Sequence, residues 1–274
     1  MMDYCISSPP SRLAAIAVMA KAPQAGKVKT RLVPPLAPDE AMALSACFLR
    51  DVTENIALAS RDAPIQGYVA YAPAGGERLF DGMLARNTQL VLADGAIATP
   101  PRVSGFGCSL LHAARGLFAR GHDSVCLLNS DSPTLPTALL RQAAYALAGP
   151  RDRIVLGPAE DGGYYLLGLK APHAHLFEDI RWSSEHVAAE TCERARALQL
   201  EIVRLAPWYD VDDRTALRRL VGEVCGAQHR ERRAAPPYAA PATAACVFRL
   251  RLAERLDPSH SASATHVPAD RVAS

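Results

Sequence analysis

Leu13-Ala-Ala-Ile-Ala-Val-Met-Ala-Lys-Ala-Pro-Gln-Ala-Gly-Lys-Val-Lys-Thr-Arg-Leu32 sets a continuous apolar run directly before a loop crowded with cations. A short run of this kind predicts a strand covered on both faces. It lacks a basic leader and a clean cleavage site, so it reads as a buried first strand and not as a signal peptide. The loop packs Lys21, Lys27, Lys29 and Arg31 around Pro23 and Gly26. Cations and free backbone amides just past a strand suit a polyphosphate. The spacing GxxxxGK[ST] is missing, so this is not a Walker A loop. A solvated basic loop is the plain alternative. Lys21 and Arg31 are the first candidates for phosphate contact and charge stabilisation, with Lys29 and the turn at Gly26 beside them.

Outward from this stretch, strand-like and helix-like segments alternate. Pro38-Asp39-Glu40 opens a long helix whose buried face is Ala41, Leu44, Phe48, Val52, Ile56 and Ala59. Strands are predicted over Ile65–Tyr71, Gln89–Ala93, Ser124–Leu128, Arg153–Gly157, Tyr164–Leu169 and Glu201–Leu205. Helices are predicted over Glu77–Arg86, Ser109–Arg120, Pro136–Leu147, Ser184–Leu198 and Asp213–Val221. The pattern is that of an α/β protein with an open, mostly parallel sheet and helices on both faces. Ligands in such sheets bind beyond the carboxyl ends of the strands. Residues 12–225 are expected to form this domain. Residues 1–11 look like a loose leader. The Ala/Pro-rich stretch 226–274 is expected to be a mobile tail or a docking segment for a protein partner, with Val247–Leu256 its one candidate for a short helix.

The chain has 274 residues, 49% of them hydrophobic, with 30 Lys and Arg against 28 Asp and Glu. A net charge of +2 leaves no electrostatic footprint for nucleic acid. No apolar run approaches the roughly 20 residues of a membrane span. Seven cysteines, with no CxxC pair and no zinc-like spacing, read as reduced thiols of a cytoplasmic protein.

Two further loops carry chemistry. The strand Ser124–Leu128 runs into Asn129-Ser-Asp-Ser-Pro-Thr-Leu-Pro136. Asp131 there can hold Mg²⁺ or Mn²⁺, which in turn binds a diphosphate, and Ser130 can add a hydroxyl. Helix capping is the bland reading of the same residues. Gly157-Pro-Ala-Glu-Asp-Gly-Gly-Tyr-Tyr-Leu166 joins two apolar strands. Gly162 and Gly163 allow close approach of backbone to ligand, and Glu160 and Asp161 offer carboxylates for an acceptor. A plain Asp-Gly turn is the alternative. Late in the chain, Asp210 and Asp212 alternate around Val211, and either can complete a metal site begun by Asp131. Asp213 is expected to cap the last helix. Trp182 can line an acceptor pocket or simply pack.

These motifs resemble the bacterial family of radical-SAM/selenodomain-associated transferases, often labelled glycosyltransferases. The resemblance covers about residues 13–222. It rests on Lys-Ala-Pro-x-x-Gly-x-Val-Lys-Thr-Arg-Leu at 21–32, Ser-Asp-Ser-Pro-x-Leu-Pro at 130–136, Gly-Pro-Ala-x-Asp-Gly-Gly-Tyr-Tyr-Leu at 157–166 and Asp-Val-Asp at 210–212. It implies a nucleotide-diphospho-sugar transferase fold of the GT-A type. The first loop is also similar to that of 2-phospholactate guanylyltransferases, which implies contact with a nucleoside triphosphate. Asn129 stands where the first family usually has Gly, and Gly105–Leu111 replaces an acidic Leu-Gly-Glu-Arg-like stretch. Three functions follow. The first is glycosyl transfer from a nucleotide-activated donor to a small-molecule acceptor with a divalent metal. The second is nucleotidyl transfer to a phosphorylated or phosphonate acceptor. The third is nucleotide binding without turnover.

Overall fold

In the computed structural model, residues 13–226 and 235–256 are described. The expected leader at 1–11 lies outside them, as do 227–234 and 257–274 of the expected tail. Seven strands form one sheet: β1 (Ala14–Lys21), β2 (Ile65–Ala72), β3 (Gln89–Leu92), β4 (Ser124–Leu128), β5 (Arg153–Pro158), β6 (Tyr164–Leu169) and β7 (Glu201–Arg204). Their order is β3-β2-β1-β4-β6-β5-β7. β1 pairs in parallel with both β2 and β4, β2 with β3, and β5 with β7. β6 alone is reversed, running antiparallel to β4 and β5. The open, mostly parallel sheet is therefore present.

Seven helices cover it: α1 (Pro38–Ala59), α2 (Phe106–Ala119), α3 (Thr137–Ala148), α4 (Val187–Ala197), α5 (Arg214–Val224), α6 (Pro241–Arg249) and α7 (Leu252–Leu256). The period-two geometry of β1 sorts its side chains to two cores. Ala14, Ile16 and Val18 face α1, α3 and α5 to α7; Ala15 and Ala17 face α2 and α4. Both faces are covered, which is why the run reads as continuously apolar.

Local signals act as expected at several ends. Pro38 occupies the first turn of α1, and the Ala37 amide donates to Glu40 Oε2 at 2.8 Å. Asp213 caps α5, accepting from the Ala216 amide at 2.7 Å. Other ends differ. The helix expected over Glu77–Arg86 is one 3-10 turn, Glu77–Phe80. α2 begins three residues before Ser109, because Gly105 takes the non-helical N-cap conformation. Pro136 caps α3 and does not sit inside its first turn.

The larger difference is at the C-terminal end. Residues 235–256, expected in a mobile tail, pack on α1. Cys246, Val247, Leu252 and Leu256 are buried in the same core as Phe48 and Leu49. Asp51, fully buried on α1, accepts from the backbone amides of Ala242 and Thr243 at 3.0 and 2.6 Å. It thus serves as an N-terminal anion for α6 from outside that helix. Composition misleads here because small residues let two helices approach closely, and Pro241 is tolerated at a first helical turn. No helix among the described residues is long and apolar enough to cross a membrane.

Candidate functional site

The chain runs outward from β1 to β2 and β3 on one side and resumes with β4 on the other, so the strand order reverses between β1 and β4. Crevices at such points collect the loops that follow both strands. The reversal of β6 adds a third loop: its entry turn, residues 159–163, lies at the same end as the exits of β1 and β4. Together they enclose a cavity of about 640 Å³.

One side of the cavity is cationic. Lys21, Lys27 and Arg31 line it, and none makes an ion pair among the described residues. Lys29 differs from its neighbours. Its backbone is left-handed, at φ 49°, and its side chain turns inward. The ammonium lies 2.9 Å from Asp131 Oδ1 and 3.0 Å from Asp212 Oδ1, and donates to the Val211 carbonyl at 2.7 Å. It also sits 5.4 Å from the centre of the Phe48 ring. Burial alone would lower the Lys29 pKa, but the two carboxylates outweigh it and the pKa is raised. Lys29, which also lines the cavity, is therefore held as a clasp between the first loop and two aspartates, unlike Lys21, Lys27 and Arg31. Gly26 shapes the turn before it, where the Lys27 amide reaches the Gln24 carbonyl at 3.0 Å, without lining the cavity.

The acidic side is built from two stapled loops. The Asp131 carbonyl accepts from Val211 N at 2.9 Å, and Ser132 Oγ donates to the Tyr209 carbonyl at 2.9 Å. Ser130 Oγ donates to Asp131 Oδ1 at 2.9 Å. Asp131, Asp161 and Asp212 line the cavity; Asp210 does not. Burial, then the charges of Asp161, Asp212 and Asp131, push Asp210 up to about 6. The expected trio of metal ligands is not assembled, since among the described residues no three His, Cys, Asp or Glu gather closely enough to hold a metal. Asp131 and Asp212 do present hard oxygens on a shared partner. Each spends only Oδ1 on Lys29. A pair of this kind fits Mg²⁺ or Mn²⁺, which commonly complete their shell with water and substrate phosphates.

The Gly-rich turn divides its residues. Asp161 lines the cavity, its Oδ1 accepting from Gly163 N at 2.8 Å. Glu160 does not line it. Its carboxylate is held by both Arg219 amino groups, at 2.6 and 3.1 Å, and the Arg219 guanidinium lies 4.0 Å over the Tyr209 ring. The structure thus places Glu160, expected as a catalytic carboxylate, outside the cavity in an ion pair tying the turn to α5. Tyr165 is core, donating to the Ala206 carbonyl at 2.9 Å, while Tyr164 lines the cavity. Gly162 is at φ +90°, and a Cβ there would meet the Glu185 carbonyl oxygen at 2.2 Å. Its closeness serves the protein's own backbone, whose Ala188 N donates to the Gly162 carbonyl at 3.0 Å. Gly162→Ala should cost about 2 kcal/mol of stability, from left-handed strain and displacement of the 185–188 segment. Urea unfolding checks this; an unchanged midpoint would refute the tight fit.

Sequence reasoning missed part of the cavity's opposite wall. Phe106 and Ser109 of α2 stand there with Ser183, Ser184 and Glu185, and Trp182 belongs to the same wall. The signal was the departure at Gly105–Leu111, which marked a changed stretch without saying where it lies.

The family described as "Uncharacterized protein conserved in bacteria (DUF2064)" matches residues 55–184. No curated protein matches the sequence. A crystal structure from Desulfovibrio desulfuricans G20, of a protein provisionally assigned as a nucleotide-diphospho-sugar transferase, is 27% identical with a TM-score of 0.70. That likeness covers 88% of this chain and 96% of the other. A cytidylyltransferase from Leptospira borgpetersenii serovar Hardjo-bovis is 9% identical, covering 88% of this chain and 95% of the other at a TM-score of 0.48. A CMP:2-keto-3-deoxy-manno-octonic acid synthetase complexed with CTP is 11% identical, covering 76% and 96% at 0.45. The chain has the α/β fold of the nucleotide-diphospho-sugar transferase-like proteins, over nearly the full length of the Desulfovibrio protein.

Proposed function

We propose that the protein is a transferase using a nucleotide-activated donor, and that it moves a glycosyl group from a nucleoside-diphosphate sugar to a small-molecule acceptor. One observation carries this reading: three cations without ion-pair partners among the described residues, Lys21, Lys27 and Arg31, share a cavity at the β1/β4 switch with Asp131, Asp161 and Asp212. The likeness to the Desulfovibrio protein supports it.

In this reading the cationic loop takes the donor's phosphates. Asp131 and Asp212 would hold a divalent cation, which supplies charge neutralisation for the departing diphosphate. Asp161 orients the acceptor hydroxyl and takes its proton as the new C–O bond forms. The bond between the sugar carbon and the phosphate oxygen breaks, and its electron pair leaves on the nucleoside diphosphate. A second reading rests on the number of free cations: three suit a triphosphate, as does the resemblance of the first loop to guanylyltransferases. In that case the acceptor attacks the α-phosphate and pyrophosphate departs.

A thermal-shift panel separates the two. UDP, UDP-sugars, GDP-sugars, CTP and GTP are compared with and without Mn²⁺ or Mg²⁺. A ligand at about a hundred times its Kd adds about 2.7 kcal/mol of apparent stability. The expected result is a metal-dependent shift with a sugar nucleotide, and loss of the metal-dependent part in Asp131→Asn. A shift with triphosphates alone would move the assignment to nucleotidyl transfer. No shift with any nucleotide would remove both and leave a protein of another activity.

A further inference from the structure

The wall facing the phosphate loop has a different chemistry from the rest of the cavity. Trp182 is locked in place. Its Nε1 donates to the Ser104 carbonyl at 3.1 Å, and its ring lies against α2 where Gly107 leaves room, a Cβ there falling 3.0 Å from Trp182 Cζ2. Phe106 meets Trp182 edge to face, with centroids 5.6 Å apart and planes at 89°. Yet Phe106 itself is 48% exposed, an uncommon state for so large an apolar ring at the edge of a cavity. Around the pair stand Ser109 and Ser183, and the only charged cavity residue of the neighbouring segment is Glu185. Among the described residues, the cavity's cations all belong to the 21–31 loop.

We propose that Phe106 and Trp182 form the acceptor subsite, and that the acceptor is an electrically neutral alcohol with a ring whose face lies on Phe106. This inference rests on the transferase reading for the word acceptor, but the binding it claims does not. The charge pattern argues the class. A phosphorylated or phosphonate acceptor here would meet the carboxylates of Glu185 and Asp161, while residues 105–111 and 182–185 supply no cation to offset them, and like charges repel. A neutral ring instead covers the exposed Phe106 face and leaves its hydroxyls to Ser109, Ser183 and Asp161. The subsite also explains why the substituted stretch 105–111 carries no acidic or basic residue.

The test uses the full chain and two probes that share one ring, phenyl β-D-glucoside and phenyl phosphate. Each is titrated by ligand-observed NMR, with UDP and Mn²⁺ present to fill the phosphate loop. Phe106→Ala, a substitution at a half-exposed side chain, is compared with Phe106→Tyr, and circular dichroism checks that each is folded. The expected result is that phenyl glucoside binds, that Phe106→Ala weakens it about threefold to tenfold, and that Phe106→Tyr restores it. Phenyl phosphate should bind more weakly and be indifferent to Phe106. Glucoside binding unaffected by Phe106→Ala, no glucoside binding at all, or tighter phenyl phosphate binding that depends on Phe106 would each overturn the proposal. The nucleotide panel is independent of these outcomes. Loss of nucleotide binding with the glucoside result intact would remove the transferase and keep a neutral-ring site.

Discussion

A chain ending at Gly226 should fail to fold cooperatively or should lose most of its stability. Residues 235–256 contribute four buried apolar side chains, Cys246, Val247, Leu252 and Leu256, to the α1 core. Burying side chains of this kind contributes about 1.5–3 kcal/mol each. A domain's whole net stability is about 5–15 kcal/mol. Truncation also removes the two backbone amides that Asp51 accepts from, together with the helix packed against it, and so leaves this face of α1 to water. Burial already raises the Asp51 pKa, against the lowering effect of those bonds. Expression, solubility and calorimetry of the truncated chain measure this directly. A soluble product with a cooperative transition within a few degrees of the full chain would show that α6 and α7 contribute little.

The second large effect belongs to Lys29. Lys29→Met keeps an apolar stem but removes the charge between Asp131 and Asp212. Breaking a buried ion pair by deleting one partner costs about 3–5 kcal/mol. Here the two carboxylates are 31% and 44% exposed, so water can screen them and about 3 kcal/mol is the better figure. The loss should be largest at low salt. Millimolar Mn²⁺ should recover part of it, because a divalent cation can stand between the same two carboxylates. Denaturant midpoints with and without Mn²⁺ give both numbers. If Mn²⁺ leaves the variant unchanged, Asp131 and Asp212 are not a metal pair.

The two variants also show what a reader of the sequence can and cannot see. Apolar runs such as Leu13–Ala20 and Ser124–Leu128 announce strands because burial on both faces leaves a local trace. The direction of β6 leaves none: Tyr164–Leu169 is as apolar as β4 and β5 on either side, and only pairing shows it to be reversed. The three loops of the cavity were legible because Gly, Pro and charged residues interrupt apolar runs there. Their internal division was not. Lys29 and Arg31 look alike in the sequence, yet one is paired with residues 182 and 183 positions away and the other makes no ion pair among the described residues. Glu160 and Asp161 are neighbours, and Arg219, 59 positions on, takes the first and leaves the second. Partners at such distances are chosen by topology, and composition carries no record of them. The same holds for 235–256, whose Ala and Pro content suggests freedom while Asp51 and Phe48 supply a seat.

The Lys29 clasp has a consequence for the order in which the molecule can be completed. Closing a contact over 183 residues carries a chain-entropy cost of about 5 kcal/mol before any contact rewards it. During synthesis the 21–31 loop is made long before its anchor, which does not exist until Asp212 has emerged. The nascent amino-terminal half therefore carries an unpinned loop through most of translation. A ligand that needs both the 21–31 loop and Asp212 could therefore favour only the finished domain, acting as a late seal on the fold and not as a template for its start.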